Sequence, residues 1–125
     1  MVTTREQGEY TENLACQYLE NKGFILIEKN FNCRVGEIDL IMKDNDNLVF
    51  VEVRYRRSND FGSGAESITA SKQSKLIKTA SLYLQQHAKL NKLQSRFDVV
   101  SINGFIETDN INNIDFDWIE NAFGA

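Results

Sequence analysis

The chain has 125 residues, of which 42% are hydrophobic and 26% charged, a composition typical of one compact globular domain. It has no apolar run as long as a membrane span and no signal-peptide core, so we expect a cytoplasmic protein with no membrane partner. The two cysteines lack metal-ligand spacing and are expected to be reduced thiols, and the single histidine argues against a zinc site.

The net charge of −4 conceals an uneven distribution of charge along the chain. Residues 54–96 hold nine basic and two acidic residues, a local net charge of +7. After Arg96 there are six acidic residues and no basic one. The basic segment would suit the phosphates of a nucleic acid, and it would equally suit a solvated helix face.

The first predicted element is a helix from about Arg5 to Asn21, which ends where Gly23 supplies a stop signal. Its apolar arc is flanked by Glu12, which lies at the margin of the buried face. Glu12 would reach a site on the sheet beneath the helix, or it is an ordinary boundary residue. An apolar strand, Phe24 to Phe31, follows and is predicted to be buried on both faces.

A β-hairpin forms the centre of the predicted fold. Its strands, Glu37–Lys43 and Leu48–Tyr55, alternate in polarity and flank the turn-rich segment Asp44–Asn47. Because side chains repeat with period two, Glu37, Asp39 and Ile41 are predicted to share one face of the first strand.

The hairpin register predicts a pair of facing carboxylates. Loops of two or four residues both place Asp39 directly opposite Glu52, with Cβ atoms roughly 4.5–5.5 Å apart. A loop of three residues would instead put them on opposite faces. Facing carboxylates repel unless a cation or a shared proton lies between them, and Arg54 follows one pleat along the same face. This arrangement predicts a divalent-metal site.

A polar loop, Arg56 to Ala65, follows the hairpin and is either a substrate-binding loop or a plain connector. The second predicted helix begins near its N-cap Thr69 and runs to about His87, which we expect to be a packed or surface histidine rather than a catalyst. Gln73 falls within the apolar stripe of this helix and needs a hydrogen-bond partner, either the hairpin site or a backbone carbonyl.

The three lysines of this helix differ in position. Lys72 lies at the border of the apolar stripe, whereas Lys75 and Lys78 point away from it.

The remaining elements are predicted to be strands. Arg96–Ile102 forms one, with Asp98 as a local hydrogen-bonding residue, and Phe105–Glu107 follows a turn and pairs back. Ile114–Ile119 alternates like a short edge strand.

An ordered set of motifs resembles the YraN-type family of uncharacterised, predicted bacterial endonucleases, and the likeness covers nearly the whole chain. Its main motifs are Gly36-Glu37-Ile38-Asp39-Leu40-Ile41 and Phe50-Val51-Glu52-Val53-Arg54. Weaker ones are Gly8, Glu12 and Ala15, Gly23-Phe24 with Asn30, Phe61-Gly62, Lys72-Gln73 with Leu76, Ala80 with Tyr83-Leu84, Arg96 to Val100, and Trp118-Ile119 through Ala122-Phe123.

This resemblance implies an α/β, restriction-endonuclease-like domain over residues 1–125. The core would have the order αβββαβ, with helices flanking a mixed central sheet, as in archaeal Holliday-junction resolvases and the PD-(D/E)xK nucleases. By position the catalytic residues would be Glu12, Asp39, Glu52 and Arg54. Asp39 and Glu52, assisted by Glu12, would hold Mg²⁺ or Mn²⁺ for phosphodiester hydrolysis in DNA.

One residue departs from the superfamily pattern. Arg54 stands where a lysine is expected, and arginine stays protonated, so it can stabilise charge but cannot act as a general base. The residues expected to contact nucleic acid are Arg56, Arg57, Lys72, Gln73, Lys75 and Lys78.

Three hypotheses follow for the function. The first is a metal-dependent endonuclease on branched or otherwise structured DNA. The second is a nucleic-acid-binding module with weak or no catalysis. The third is a protein-interaction partner that uses the acidic tail, since a fold does not fix a function. Junction resolvases work as dimers because the junction has two-fold symmetry, so the resemblance also implies a homodimer.

Overall fold

Two helices and a five-stranded sheet make up the parts of the chain that the structure, a computed structural model, describes: residues 3–56, 68–104 and 114–124. The elements in chain order are α1 (Thr4–Glu20), β1 (Ile25–Asn32), β2 (Glu37–Asp44), β3 (Asn47–Arg56), α2 (Ala70–Gln86), β4 (Gln94–Gly104) and β5 (Ile114–Phe123). A short 3₁₀ turn, Leu90–Lys92, precedes β4. The loop predicted after Arg56, with Arg57 and Phe61-Gly62, and the segment Phe105–Glu107 lie outside the described residues.

The strands lie side by side in sequence order. β1, β2 and β3 form an antiparallel meander, β3 pairs in parallel with β4, and β4 pairs antiparallel with β5. A parallel pair needs a long crossover connection, which α2 supplies between β3 and β4. The predicted α/β class with an αβββαβ restriction-endonuclease-like core is confirmed, and β5 extends the sheet at one edge.

The central hairpin has the predicted register. Cα pairs run without a shift from Asp44–Asn47 to Leu40–Val51, around the two-residue turn Asn45-Asp46. Asn45 has φ of 55°, a left-handed conformation that asparagine tolerates better than most residues. The three-residue loop that would have separated Asp39 from Glu52 is excluded.

Two hydrophobic clusters hold the sheet between the helices. Val49 and Val51 of β3 pack in a cluster with Ala15 and Leu19 of α1, together with Leu40, Met42, Val100 and Ile102. Leu48 and Phe50 pack on the other face with Leu76, Ala80 and Tyr83 of α2. Burying a side chain of this size stabilises the fold by about 1.5–3 kcal/mol, so the alternation along β3 fixes both its faces and its register.

Both helices begin and end within about one residue of their predicted bounds. Thr3 Oγ1 accepts a hydrogen bond from the Glu6 backbone N–H at 3.1 Å, and Thr69 Oγ1 accepts one from the Lys72 N–H, also at 3.1 Å. Gly23, just after α1, has φ of 98°, which favours glycine. Neither described helix is long and apolar enough to cross a membrane.

The prediction that the first strand is buried on both faces is wrong. Among the described strands, β1 lies at the edge of the sheet and pairs with β2 alone, and Ile25 is 63% exposed and Ile27 36% exposed. A short apolar run does not distinguish a central strand from an edge strand, because the run records residue type and not the number of neighbouring strands. β5 is also longer than predicted, since it continues to Phe123.

Asp98 is the structural residue that the sequence predicted. Its buried carboxylate accepts hydrogen bonds from Arg96 Nε at 3.0 Å, from Trp118 Nε1 at 3.0 Å and from the backbone N–H of Asn121 at 2.9 Å. Arg96 also contacts Glu120, at 3.3 Å. Asp98 therefore joins β4 to β5 through two donors, those of Trp118 and Asn121.

Removal of this carboxylate tests its structural role. We expect Asp98→Ala to lower the free energy of unfolding by about 3–5 kcal/mol, because it leaves the N–H groups of Trp118 and Asn121 without their acceptor and removes the buried acid that pairs with Arg96. Urea denaturation followed by circular dichroism measures this change. The control Glu120→Gln alters an exposed contact of the same arginine and should cost at most about 1 kcal/mol. Equal losses in both variants would contradict the assignment.

Candidate active site

Asp39 lies at the end of the central hairpin, immediately beyond the last registered pair. Its Oδ2 accepts a hydrogen bond from the backbone N–H of Val53 at 2.8 Å, which ties β2 to β3. Its carboxyl group also lies within hydrogen-bonding reach of the Glu52 carboxyl group. The predicted contact between the two acids is therefore present.

The strand alternation is interrupted at Asp39. Ile38 and Ile41 both pack in the cluster on the α2 side, whereas Leu40 packs on the α1 side. A strict two-residue repeat does not allow this, because Ile38 and Ile41 are three residues apart. Glu37 and Asp39 line a cavity with residues of α2, the side on which Ile41 packs, so the predicted sharing of a face is consistent with the structure. On the neighbouring strand Asn30 has φ of 53°, and it stands between the registered pairs on either side of this interruption. The irregularity leaves Asp39 between an acid from α1 and an acid from β3.

Three carboxylates converge at this point. Glu12 of α1 and Glu37 and Asp39 of β2 each offer an oxygen, and these oxygens all lie within 4.8 Å of one another. Carboxylate oxygens are hard ligands of the kind that Mg²⁺ and Mn²⁺ prefer. The position of Glu12 at the helix margin left its role undecided, and the structure shows that it reaches the hairpin. Glu37 was not predicted as a ligand, although its position two residues before Asp39 was the signal.

Burial and mutual repulsion raise the pKa of two of these acids. The pKa of Asp39 is raised to about 8 by burial first, then by the charge and hydrogen bonding of Glu52, with Glu12 adding a smaller repulsion. The pKa of Glu12 is raised, chiefly by burial and also by the charge of Glu37, against a hydrogen bond with Asn30. Two neighbouring carboxyls that resist ionisation fit a site for a cation, which would favour their charged forms.

Lys72 contacts the fourth acid of the site. Its Nζ lies 2.6 Å from Glu52 Oε2, and the Glu52 side chain is only 5% exposed while that of Lys72 is 47% exposed. The sequence placed Lys72 among the nucleic-acid contacts and did not predict this ion pair. Because the pair joins α2 to β3 across the chain, no local pattern reveals it.

An open cavity of about 360 Å³ gives access to these groups. Its lining combines acids from the hairpin with lysines and hydroxyls from the start of α2: Gly36, Glu37, Asp39, Glu52, Thr69, Ser71, Lys72, Lys75 and Leu76. A cavity with carboxylates on one wall and ammonium groups on the other suits a divalent cation together with an anion.

Gly36 allows the hairpin to approach α2 closely. A Cβ atom at this position would lie 2.9 Å from Thr79 Oγ1, closer than real Cβ contacts. Thr79 is fully buried and its hydroxyl is held by the Lys75 carbonyl at 2.8 Å, so it has little freedom to move. The glycine therefore sets the distance between the acid-bearing strand and the lysine-bearing helix.

The structure places the other predicted site residues less centrally. Arg54 is half-buried two residues beyond Glu52 and does not line the cavity, and its side chain makes no hydrogen bond or ion pair to another described residue. Gln73 donates from Nε2 to the Ile68 carbonyl at 3.1 Å, which is the backbone alternative. Arg56 is half-buried at the end of β3.

The lysines further along α2 differ from Lys72. Lys75 is exposed at the cavity wall, and Lys78 is exposed outside the cavity. His87 stacks on Tyr83 at 3.9 Å between ring centroids, and its Nδ1 lies 2.8 Å from the Tyr83 carbonyl, so it is the packed histidine that was expected.

Fold and site together define an α/β protein with a restriction-endonuclease-like core and an acidic cluster at the end of its central hairpin. A family model described as "Uncharacterised protein family UPF0102" matches residues 11–102. The chain belongs to this family, which confirms the YraN-type resemblance.

Curated relatives match almost end to end. A "UPF0102 protein" of Nitrosococcus oceani is 47% identical over 121 residues, covering 97% of this chain and 94% of the relative. One of Stutzerimonas stutzeri is 46% identical, with 98% of each chain covered, and one of Legionella pneumophila is 45% identical with the same coverage.

The raised pKa of Asp39 predicts a change of stability with pH. An unfolded aspartate titrates near pH ~3.9, so between about pH 4 and 8 the folded protein holds a proton that the unfolded chain has lost. The free energy of unfolding therefore falls as the pH rises, by at most about 1.4 kcal/mol per pH unit from this group. Asp39→Asn removes the titration and should gain stability relative to the unmodified protein across this window.

Urea denaturation with a metal chelator at several pH values measures this difference. The control Asp46→Asn removes an exposed carboxylate in the hairpin turn and should leave the pH dependence unchanged. A difference between Asp39→Asn and the unmodified protein that stays constant from about pH 5 to 8 would show that Asp39 is ionised throughout.

Proposed function

We propose that this chain is a divalent-metal-dependent endonuclease that hydrolyses phosphodiester bonds in DNA, with branched or otherwise structured DNA as its substrate. One observation carries this proposal: Asp39 lies among three further acids at a cavity whose other wall bears lysines. The choice of DNA rests on the resemblance to junction resolvases and on the basic segment that follows the hairpin.

The donor set fits Mg²⁺ or Mn²⁺. Asp39, Glu52 and Glu12 would hold the ion, and Glu37 offers a fourth carboxylate. A bound divalent ion would lower the pKa of a water molecule and stabilise the charge that develops on the phosphodiester. The ion would also relieve the repulsion that raises the pKa of Asp39.

The residues of the chain would position the reactants. The carboxylates orient the attacking water, whose oxygen forms a bond to phosphorus as the bond to one ester oxygen breaks. The leaving oxygen keeps the electron pair and takes up a proton, and the attacking water releases one, so the products are a terminal phosphate and a hydroxyl. Lys75, exposed at the cavity wall, would contact the phosphate backbone.

A homodimer is the assembly that suits this substrate, because a four-way junction has two-fold symmetry and needs two symmetric cuts. We include this assembly in the proposal on the strength of the resemblance. Velocity sedimentation of the protein with and without junction DNA tests it, and a monomer in both states would contradict it.

A second candidate function is a nucleic-acid-binding module with little or no turnover. Arg54 favours it, because arginine at the position expected for lysine cannot exchange a proton near neutral pH. The two candidates share the basic surface and differ in what the acidic cluster does.

Cleavage assays separate the two candidates. With Mg²⁺ or Mn²⁺ the protein should cut junction, flap or single-stranded DNA, and Asp39→Asn or Glu52→Gln should slow cutting by about 100-fold or more, since each removes a metal ligand. Glu28→Gln, on β1, is a matched control with normal activity expected. Cutting that persists in both site variants would point to a contaminating nuclease, and binding without cutting would favour the second candidate.

Calorimetric titration tests the metal site without DNA. The unmodified protein should bind Mn²⁺ with measurable heat, and Asp39→Asn should bind at least about tenfold more weakly because it loses a charged oxygen ligand. Equal binding by both proteins would contradict the assignment of Asp39 as a ligand.

A further inference from the structure

We propose that Lys72 is the catalytic cation of this site and acts directly on the phosphodiester from helix α2. The inference rests on the proposed function and deepens it. The family pattern would give the charge-stabilising role to the strand position that Arg54 occupies. We assign this role to Lys72, on the helix, instead.

The contact geometry distinguishes Lys72 from the other basic residues. Its 2.6 Å contact with Glu52 is shorter than the other ion pairs between described residues, which measure 3.0–3.6 Å. Glu52 is 5% exposed, whereas Lys72 is 47% exposed and also lines the cavity. The ammonium group thus touches the acidic cluster on one side and open space on the other, where a substrate would enter.

The position of Lys72 on its helix is unfavourable without the acidic cluster. Thr69 caps α2 by accepting from the Lys72 backbone N–H, so Lys72 lies in the first turn. The first turn of a helix carries partial positive charge and stabilises acids rather than lysines, and α2 has no acid there. The compensating charge comes from Glu52, in a different element.

The charge balance of the site calls for a further cation. Four acids meet here, Glu12, Glu37, Asp39 and Glu52, and a phosphodiester would add another negative charge. One divalent ion offsets only two of these charges. A positive group fixed beside Glu52 would reduce the repulsion between cluster and substrate and stabilise the extra charge of the transition state.

Lys72 acts in this role through its positive charge. It donates hydrogen bonds to a non-bridging phosphoryl oxygen and transfers no proton, so a residue with a fixed positive charge could replace it in part. Arg54, which contacts no described acid, does not supply this charge to the cluster. Lys75 lies one turn further along α2 at the same cavity but forms no ion pair with another described residue, so it is not held against the acidic cluster as Lys72 is.

Single-turnover cleavage with saturating junction DNA and Mg²⁺ tests the inference on the full chain. Lys72→Gln should slow the cleavage step by about 100-fold or more, the loss typical of one removed charge-stabilising donor. Lys72→Arg should recover at least about a tenth of the unmodified rate, because it keeps the charge. The control Lys89→Gln removes an exposed lysine that follows α2 and does not line the cavity, so it should change the cleavage step by less than about threefold.

Binding measurements separate this role from a structural one. With Ca²⁺ in place of Mg²⁺, the affinity of Lys72→Gln for DNA, measured by fluorescence anisotropy, should stay within about threefold of the unmodified value. Its Mn²⁺ affinity should also not fall. A Lys72→Gln protein that cleaves at the unmodified rate would overturn the role of Lys72. So would a loss of cleavage rate that is no larger than the loss of DNA or metal affinity in the same variant. Lys72→Arg repeats this comparison if Lys72→Gln does not fold, and a folded Lys72→Arg protein without cleavage would also overturn it.

The cleavage assay also distinguishes a failure of the proposal for Lys72 from a failure of the proposed endonuclease function. If the unmodified protein cleaves DNA and the Lys72 variants cleave it at the same rate, the endonuclease function stands and only the catalytic role of Lys72 is overturned. An unmodified protein that binds metal and DNA but never cuts would overturn the endonuclease function and the catalytic role of Lys72 with it.

Discussion

The facing of Asp39 and Glu52 at the end of the central hairpin is the constraint on which the site depends. Their carboxyl groups lie within hydrogen-bonding reach of each other, too close for two buried carboxylates to be ionised together at little cost. Burial and the charge of Glu52 raise the pKa of Asp39 to about 8, which favours a proton on this carboxyl group near neutral pH when no metal is bound. A divalent ion is the natural replacement for that proton, because it neutralises both oxygens at once.

The hydrophobic core maintains this unfavourable pair. A slip of one residue between β2 and β3 would separate the acids, but it would also move Leu48 and Phe50 from the α2 face to the α1 face. Each such side chain contributes about 1.5–3 kcal/mol by burial, so several together outweigh the repulsion of two carboxylates. The acidic site is thus imposed by residues that take no part in its chemistry.

Sequence periodicity predicted the elements whose signals are local. The alternation around the Asp44–Asn47 turn was enough for the register and the Asp39–Glu52 contact, and the threonine caps were enough for the helix starts. Features that depend on tertiary packing were not predicted from the sequence. The exposure of β1 depends on how many strands flank it, and the contact of Lys72 with Glu52 depends on how α2 lies across the sheet. The two-residue spacing of Glu37 from Asp39 could have predicted that both acids lie at the site. Spacing alone does not define a ligand set, however, because the strand repeat is interrupted at Asp39.

The two helices bring opposite charges to the same end of the hairpin. From its side of the sheet α1 delivers Glu12 to Asp39, and from the opposite side α2 delivers Lys72 to Glu52. The close approach at Gly36 brings the second helix near enough for this contact. A cation held among the acids and an anion drawn to the lysines would therefore meet across the hairpin end, which is the arrangement that phosphodiester hydrolysis requires. The strand residue Arg54 contributes no contact to that arrangement among the described residues, so the helix is the better source of its positive charge.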